Sequence, residues 1–177
     1  MENDSTNYDA IANVGLCYRL LDRYNEAEAY IERYLEKIPN NKRALSQLTT
    51  LYYETKRYDK AYHTVIDLCS IDSTNYKNWF NLSWYALFAN KPQVAIQTAQ
   101  KTLALDSSKV GVETNLALGY LLNNQYPQAE AIYLKLKGKS FPGDKRLCKD
   151  VFLKDIAALE AAGITHPDFE RVRALLK

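Results

Sequence analysis

A 34-residue period runs through most of this chain. Alanine recurs four times at that spacing, and a tyrosine or a proline stands three residues before each copy. The alanines are Ala27, Ala61, Ala95 and Ala129. A second series of small residues keeps the same phase, at Gly15, Thr49, Ser83 and Ala117. A repeat of this length is one helix–turn–helix unit that cannot bury its apolar face alone, so the period predicts stacked units that share one core.

The apolar residues of the first repeat follow the spacing of two amphipathic helices. Ile11, Val14 and Tyr18 lie at positions i, i+3 and i+7 of one helix, and Ile31 lies on the inner side of the next. Pro39 ends that second helix because proline has no backbone donor. The small residues of both series are expected where paired helices cross, since a larger side chain there would overpack the contact at a cost of about 1–3 kcal/mol.

Two fragments carry a resemblance to a known family. They are Val14-Gly15-x-x-Tyr18 in the first repeat and Trp79-x-x-Leu82-Ser83 in the third, supported by Ala27 and Pro39. On these residues the chain resembles the tetratricopeptide repeat family. The resemblance implies an all-α fold, a right-handed superhelical α-solenoid of helix–turn–helix repeats with about ten helices, and a concave face that binds a partner.

The period also divides the chain into repeats that together form one solenoid domain. Four repeats cover residues 8–41, 42–75, 76–109 and 110–143, after an N-terminal leader of residues 1–7. Residues 144–177 are expected to be a degenerate repeat or a pair of C-terminal capping helices. In that tail Gly163 is expected to end one helix, and Thr165 is expected to cap the next.

Composition narrows the classes of partner and compartment. The formal net charge is only +2 and the basic residues are scattered, which argues against nucleic acid. No apolar run is long enough for membrane insertion. The N-terminus does not resemble a signal peptide, although a cleaved or omitted signal stays open. Three isolated cysteines, Cys17, Cys69 and Cys148, favour a reducing, intracellular compartment.

No catalytic residue, metal site or cofactor is expected. The cysteines and the two histidines, His63 and His166, show no metal-ligand spacing. The chain has no Ser/His/Asp or Cys/His arrangement and no glycine-rich phosphate loop, and its Asp and Glu residues are dispersed. The sequence therefore predicts a protein that is not an enzyme.

The family resemblance places a partner-binding groove on the concave face, lined by the first helix of each repeat. The groove residues are expected to be Asn13, Arg43, Gln47, Tyr53, Lys77, Phe80, Asn81, Trp84, Phe88, Asn115 and Leu118. Four of them, Asn13, Gln47, Asn81 and Asn115, share one repeat position.

Side-chain amides at that shared position can donate to and accept from a peptide backbone. The aromatic residues would form a wall suited to an apolar or helical peptide. Two alternatives stay open: the amides form a solvated face, and Trp84 and Phe88 pack as core between repeats. The carboxylate clamp of chaperone-binding family members is incomplete, since only Asn13 and Lys77 match it outright, so tight capture of an acidic C-terminal tail is not expected.

These expectations favour a scaffold for protein–protein interaction that binds a peptide or partner segment on its concave face. The alternative is a structural assembly component that self-associates, or docks through its exposed N-terminal repeat. It is motivated by the absence of a polar cap before the first repeat, which would leave apolar surface uncovered. The abrupt start within the repeat phase favours a chain cut from a longer array.

Overall fold

The helices of this computed structural model follow the predicted period. It describes residues 5–106, 108, 110–140 and 146–177, and gives side chains from residue 13 onward. Across those residues there are ten helices and no strand apart from one β-bridge between Ser140 and Leu147. The helices are α1 (Ser5–Leu20), α2 (Tyr24–Lys37), α3 (Lys42–Glu54), α4 (Tyr58–Ile71), α5 (Tyr76–Phe88), α6 (Pro92–Leu105), α7 (Val110–Leu122), α8 (Tyr126–Leu136), α9 (Cys148–Ala161) and α10 (Phe169–Leu176). The predicted all-α solenoid fold with about ten helices is confirmed.

Helix starts repeat at the spacing of the sequence. The helices α2, α4, α6 and α8 begin at Tyr24, Tyr58, Pro92 and Tyr126, each 34 residues after the last. Likewise α3, α5 and α7 begin at Lys42, Tyr76 and Val110. The helix α1 begins at Ser5, inside the predicted leader, whose residues 1–4 lie outside the described part of the chain. The exact repeat limits stay a prediction.

Local signals explain four of these starts. The side chain of Asn41 accepts a hydrogen bond from the backbone N–H of Ala44 at 3.0 Å, and that of Asn75 accepts from Lys77 at 3.1 Å. Each asparagine satisfies a donor that the first turn of α3 or α5 leaves unpaired. The helices α6 and α8 carry a proline in their first two positions, where no donor is needed.

The turn between the two helices of a repeat also recurs. Asp22, Lys56, Asn90 and Asn124 have positive φ angles between 54° and 58°. Around Lys56, the N–H of Arg57 bonds to the carbonyl of Tyr52 at 2.7 Å, and the N–H of Lys56 bonds to that of Tyr53 at 3.0 Å. These are the two hydrogen bonds of a left-handed helix C-cap. The sequence reasoning missed this turn, although Asn or Asp at three of the four positions signals it.

The helices fall into two compact units, residues 1–73 and 74–177. In the first unit α1 packs on α2, α2 on α3 and α3 on α4. An ideal Cβ added to Gly15 would lie 2.7 Å from Cγ1 of Ile31 and 3.5 Å from the carbonyl oxygen of Ala27. Gly15 therefore lies where α1 and α2 approach too closely for a larger side chain, as predicted. Thr49 and Ala61, at the equivalent positions, are also buried.

The second unit is built around α7, which contacts α5, α6, α8 and α9. The buried residues Ile96, Ala99, Val112 and Leu116 join α6 to α7, and Phe80 packs against them. The tail closes the unit, because α10 contacts both α8 and α9 and buries Phe169, Val172 and Leu176.

In the tail, the predicted end of α9 is confirmed and the predicted start of α10 is wrong. Gly163 has a φ of +83°, and the N–H of Ile164 bonds to the carbonyl of Leu159 at 2.9 Å, so the predicted stop is confirmed. The predicted cap at Thr165 is wrong, because α10 begins at Phe169. The ring of His166 instead accepts the N–H of Asp168 at 3.2 Å, which holds this stretch in a turn.

The left-handed turn yields a prediction at Lys56. A non-glycine residue in this conformation is strained by about 1–2 kcal/mol, and glycine recovers that energy but adds chain entropy to the unfolded state. Lys56→Gly is expected to raise the free energy of unfolding by about 0.5–1 kcal/mol in urea denaturation. Asn90→Gly is the control with a smaller expected gain, because asparagine tolerates this conformation. A loss of stability in Lys56→Gly would contradict the assignment of strain.

The crossing of α1 and α2 yields a second prediction. Gly15→Ala adds about 1 kcal/mol of helix propensity but places its methyl group against the fully buried Ile31, which costs about 1–3 kcal/mol. A net loss of about 1 kcal/mol or more is expected in thermal or urea unfolding. Gly138→Ala is the control, because no atom lies within 4 Å of its added Cβ. Equal stability of both variants would show that α1 and α2 can separate at no cost.

Candidate partner-binding faces

Two polar bridges join the first helices of the first unit. Arg43 Nη2 donates a hydrogen bond to Asn13 Oδ1 at 2.8 Å, and both side chains are exposed. Near the other end of the same helices, Arg19 Nη1 donates to Glu54 Oε1 at 2.6 Å. We call the surface between these bridges the α1–α3 face; its residues are Asn13, Arg19, Arg43, Gln47 and Glu54. The structure thus brings the predicted residues Asn13 and Arg43 together.

Gln47 lies between the two bridges. It follows Arg43 by one helical turn and is half-buried. Its Oε1 atom is buried and has no hydrogen-bond partner among the described residues. A buried acceptor without a partner costs about 1–3 kcal/mol. Because Oε1 accepts no hydrogen bond, rotating the amide towards an incoming donor breaks no bond to that oxygen. The predicted Tyr53 is half-buried, with its ring centroid 5.8 Å from that of Tyr58.

The second unit presents a face on α5. Lys77, Asn81 and Trp84 follow each other at helical spacing, so they lie on one side of the helix. Lys77 is exposed, and Asn81 and Trp84 are half-buried. We call these three residues the α5 face. It combines an aromatic ring with a cation and an amide, as predicted from the sequence.

Two predicted contact residues of this unit, Phe88 and Leu118, are buried and need correction, whereas the predicted Phe80 is only partly buried. Phe88 is 5% exposed, and its ring centroid lies 4.8 Å from that of Trp84, so Phe88 supports the tryptophan from within. Leu118 is fully buried on α7, which is enclosed by four helices. Phe80 is partly buried, because it packs against the cluster that joins α6 to α7.

Asn115 is a further predicted contact residue that is buried, and it bridges α7 to α5. It is 2% exposed, and its Nδ2 donates to Ser83 Oγ at 2.8 Å and to the carbonyl oxygen of Phe80 at 3.4 Å. A buried amide is stable only when it is hydrogen-bonded in this way. Asn115 therefore fixes the two helices to each other, and of the four amides at the shared repeat position it is the one withdrawn from the surface.

The reasoning from sequence missed the ion pair of Arg19 and Glu54 as a boundary of the α1–α3 face. The repeat pattern gives no sign of this ion pair, because the residues one period after Arg19 and Glu54 are Tyr53 and Phe88, which carry no charge. Only the parallel placement of α1 beside α3 brings these two charges together.

The described residues include one exposed thiol, Cys17, and two buried ones. They contain no group of three His, Cys, Asp or Glu side chains placed to hold a metal ion. Cys69 and Cys148 are buried, and burial raises the pKa of the Cys148 thiol. Among these same residues, none of the helices has the length and apolar content that crossing a membrane requires.

One half-buried carboxyl stands out in the second unit. Burial raises the pKa of Asp155 to about 6, against the opposing effects of Lys154, a hydrogen bond with Thr114, and Arg146. Burial also raises the pKa of the nearby Tyr133 hydroxyl, which has no hydrogen-bond partner in the described part of the chain. Because Tyr133 is fully buried, this cluster belongs to the packing of α7, α8 and α9.

Comparison with known proteins agrees with the repeat pattern. Residues 3–75 match the family model described as tetratricopeptide repeat. A search of curated proteins finds no match.

Solved structures share the fold over most of the chain. A crystal structure of MamA protein superposes with a TM-score of 0.70 at 18% identity, covering 96% of this chain and 89% of that one. MamA 41-end from Desulfovibrio magneticus RS-1 gives 0.66 at 16% identity, covering 76% and 74%. A structure of MamA from MSR-1 gives 0.65 at 18% identity, covering 75% and 77%. At these identities the likeness establishes the fold.

The raised pKa of Asp155 yields a prediction about pH. Asp155 binds its proton more tightly in the folded state than in the unfolded chain, where its pKa is about 4. The free energy of unfolding of the protein therefore falls as pH rises from about 4 to about 6. Asp155→Asn is expected to remove that decline, so the variant gains stability relative to wild type between pH 4 and pH 7. The measurement is urea unfolding at each pH, with the exposed Asp67→Asn as control. A pH-independent difference would contradict the assignment.

Proposed function

We propose that this chain, whose residues 3–75 match the tetratricopeptide repeat model, is a non-enzymatic scaffold that binds a segment of a partner protein on the first helices of its repeats. Each unit carries one contact surface, the α1–α3 face and the α5 face. The observation that carries this proposal is the accessibility of two sets of side chains. The polar groups of the α1–α3 face are exposed or half-buried, and on the α5 face a half-buried tryptophan lies beside an amide and a lysine, so that hydrogen bonding and apolar burial are both available to a ligand.

The α1–α3 face suits the backbone of an extended segment. Arg43 brings a guanidinium donor, and its bond to Asn13 is exposed, so exchanging it for a bond to a ligand changes little in free energy. The Gln47 amide can turn its unpaired oxygen towards a peptide N–H. The charges of Arg19 and Glu54 neutralise each other at one edge, so neither sign of ligand charge is strongly favoured there.

The α5 face suits an apolar anchor of the same partner class. Trp84 is backed by the buried Phe88, which limits its motion, and a rigid aromatic ring loses little entropy when a side chain packs on it. Asn81, three residues before it, can pair with the backbone next to that anchor. Lys77 adds one positive charge, which favours a segment with an acidic residue beside its apolar one.

Capture from a lysate of the source cells, read by mass spectrometry, tests this proposal. Two double variants, Arg43→Ala with Gln47→Ala and Asn81→Ala with Trp84→Ala, each remove one face. Gln128→Ala, an exposed residue on α8, is the matched control. We expect partners held by wild type and control to be lost at least tenfold in the variants, equivalent to about 1.4 kcal/mol.

Two further readouts keep the result interpretable. Circular dichroism must show that each variant folds, and Trp79→Phe leaves Trp84 as the sole tryptophan, whose emission should change when a captured segment is added. Equal capture by wild type and both double variants would overturn the proposal. Sub-micromolar binding of an acidic peptide that is lost on amidating its C-terminus would contradict the expectation drawn from the incomplete carboxylate clamp.

A further inference from the structure

The positive charge of this chain is concentrated in one short stretch of the second unit. Residues 135–154 contain seven Lys or Arg and two Asp. Because the whole chain has a net charge of only +2, the residues outside this stretch carry a net negative charge. The structure describes six of the seven basic residues, which we call the basic cluster: Lys135, Lys137, Lys139, Arg146, Lys149 and Lys154.

The fold brings the two halves of this stretch together. A β-bridge joins Ser140 to Leu147, and the N–H of Cys148 bonds to the carbonyl oxygen of Lys139 at 2.8 Å. The end of α8 and the start of α9 therefore lie side by side. Lys139, which closes the first half, is thereby placed next to Arg146, which opens the second.

Two ionisable groups respond to the charges of the basic cluster. Burial raises the pKa of the Cys148 thiol, and the positive charge of Lys139 opposes that rise. Burial also raises the pKa of the Asp155 carboxyl to about 6, and the charges of Lys154 and Arg146 oppose it. Cations from both halves of the stretch therefore act on the junction of α8 and α9.

Much of this charge has no acidic partner in the described part of the chain. Lys135 Nζ pairs with Glu113 Oε2 at 2.5 Å. Lys139 and Lys154, in contrast, are exposed, and neither forms an ion pair with another described residue. An anionic group can therefore approach these two ammonium groups without displacing a partner among those residues.

We infer that the basic cluster is a docking surface for an acidic segment of a partner protein, whose carboxylates pair with the exposed ammonium groups. Complementary charge of this kind raises the rate of association and selects the partner. The cluster shares no residue with the α1–α3 face or the α5 face. This docking is therefore independent of the function proposed above, and either can fail without the other.

Acidic residues beside the cations favour a peptide over a nucleic acid backbone. Asp150 is exposed and stands four residues from both Arg146 and Lys154. A peptide brings backbone N–H donors that can pair with such a carboxylate, whereas phosphate groups bring only acceptors and are repelled by it. Stacking of bases is not supported either, because Phe152, the one described aromatic residue of the stretch, is buried.

A second copy of this chain is a poor source of the acidic segment. No two acidic residues are adjacent anywhere in the 177 residues. In the first unit, several described carboxylates already pair with cations of that unit, namely those of Glu26, Glu28, Glu54 and Asp72. A separate protein with a run of Asp or Glu therefore fits the cluster better.

The test titrates the full chain against hexaglutamate by fluorescence anisotropy. The peptide is labelled with fluorescein at its N-terminus and amidated at its C-terminus, so that no terminal carboxylate contributes to binding. Hexaglutamine is the uncharged control. We expect saturable binding of hexaglutamate alone. It should weaken about tenfold between about 0.1 M and about 1 M NaCl, because the Debye length falls from about 10 Å to about 3 Å.

Variants locate the binding on the chain. Lys139→Gln combined with Lys154→Gln is expected to weaken binding about tenfold at low salt, because two exposed ion pairs are lost. Replacing the same two lysines by arginine keeps the charge and should keep the affinity. The matched control is Lys37→Gln with Lys91→Gln, which removes two exposed charges elsewhere. Circular dichroism checks that each variant is folded.

Acetylation of the lysines gives a second readout on the wild type itself. With hexaglutamate bound, Lys139 and Lys154 are expected to react more slowly with an acetyl N-hydroxysuccinimide ester, as measured by mass spectrometry. Lys37 and Lys91 should react at an unchanged rate.

Four results would overturn the inference. The first is no binding of hexaglutamate at low salt and millimolar concentration. The second is equal binding by the wild type and the variant with glutamine at 139 and 154. The third is tighter binding of a single-stranded oligonucleotide of equal charge, or of phosphatidylserine vesicles, than of hexaglutamate. The fourth is a salt-sensitive dimer of the wild type, seen by sedimentation and absent in the same glutamine variant, since a second copy would then occupy the cluster.

Discussion

The close crossing of the two helices in each repeat is the contact on which the rest of this structure depends. At Gly15 a Cβ would collide with the side chain of Ile31 on α2. Ala27, Ala61, Ala95 and Ala129 are fully buried at the positions that face the small series. Tight crossing holds the paired helices together, and residues 22, 56, 90 and 124 all adopt the same left-handed backbone conformation in the turn between them.

This repeated geometry gives each first helix two distinct sides. One side packs on the second helix of the preceding repeat, as Leu116 and Gly119 do, and the other carries the polar and aromatic faces proposed to bind a partner. In α1 the packing side is uncovered as well, so this helix presents apolar surface where α3 and α7 present none. The proposed binding faces follow from this division, since the side that a repeat does not use for stacking is available for binding.

The amides at the shared repeat position show where prediction from the period succeeds and where it stops. Asn13, Gln47 and Asn81 keep part of their surface, whereas Asn115 is buried. The cause is Ser83, which occupies the small-residue position of the third repeat and offers a hydroxyl that Asn115 can reach. Had that position held glycine or alanine, as in the first and fourth repeats, no such partner would exist, so equal spacing does not imply equal environment.

From the sequence alone follow the all-α repeat fold, the 34-residue spacing of the helix starts from α2 to α8, the small residues at the crossings and the stop at Gly163, because each depends on local propensity or on a period of 34 residues. Tertiary structure alone decided which groove residues are accessible, the bridges from Arg43 to Asn13 and from Arg19 to Glu54, and the uncovered side of α1. These depend on contacts between residues about one period or more apart in sequence. No local pattern encodes such contacts, since they exist only once the helices are stacked.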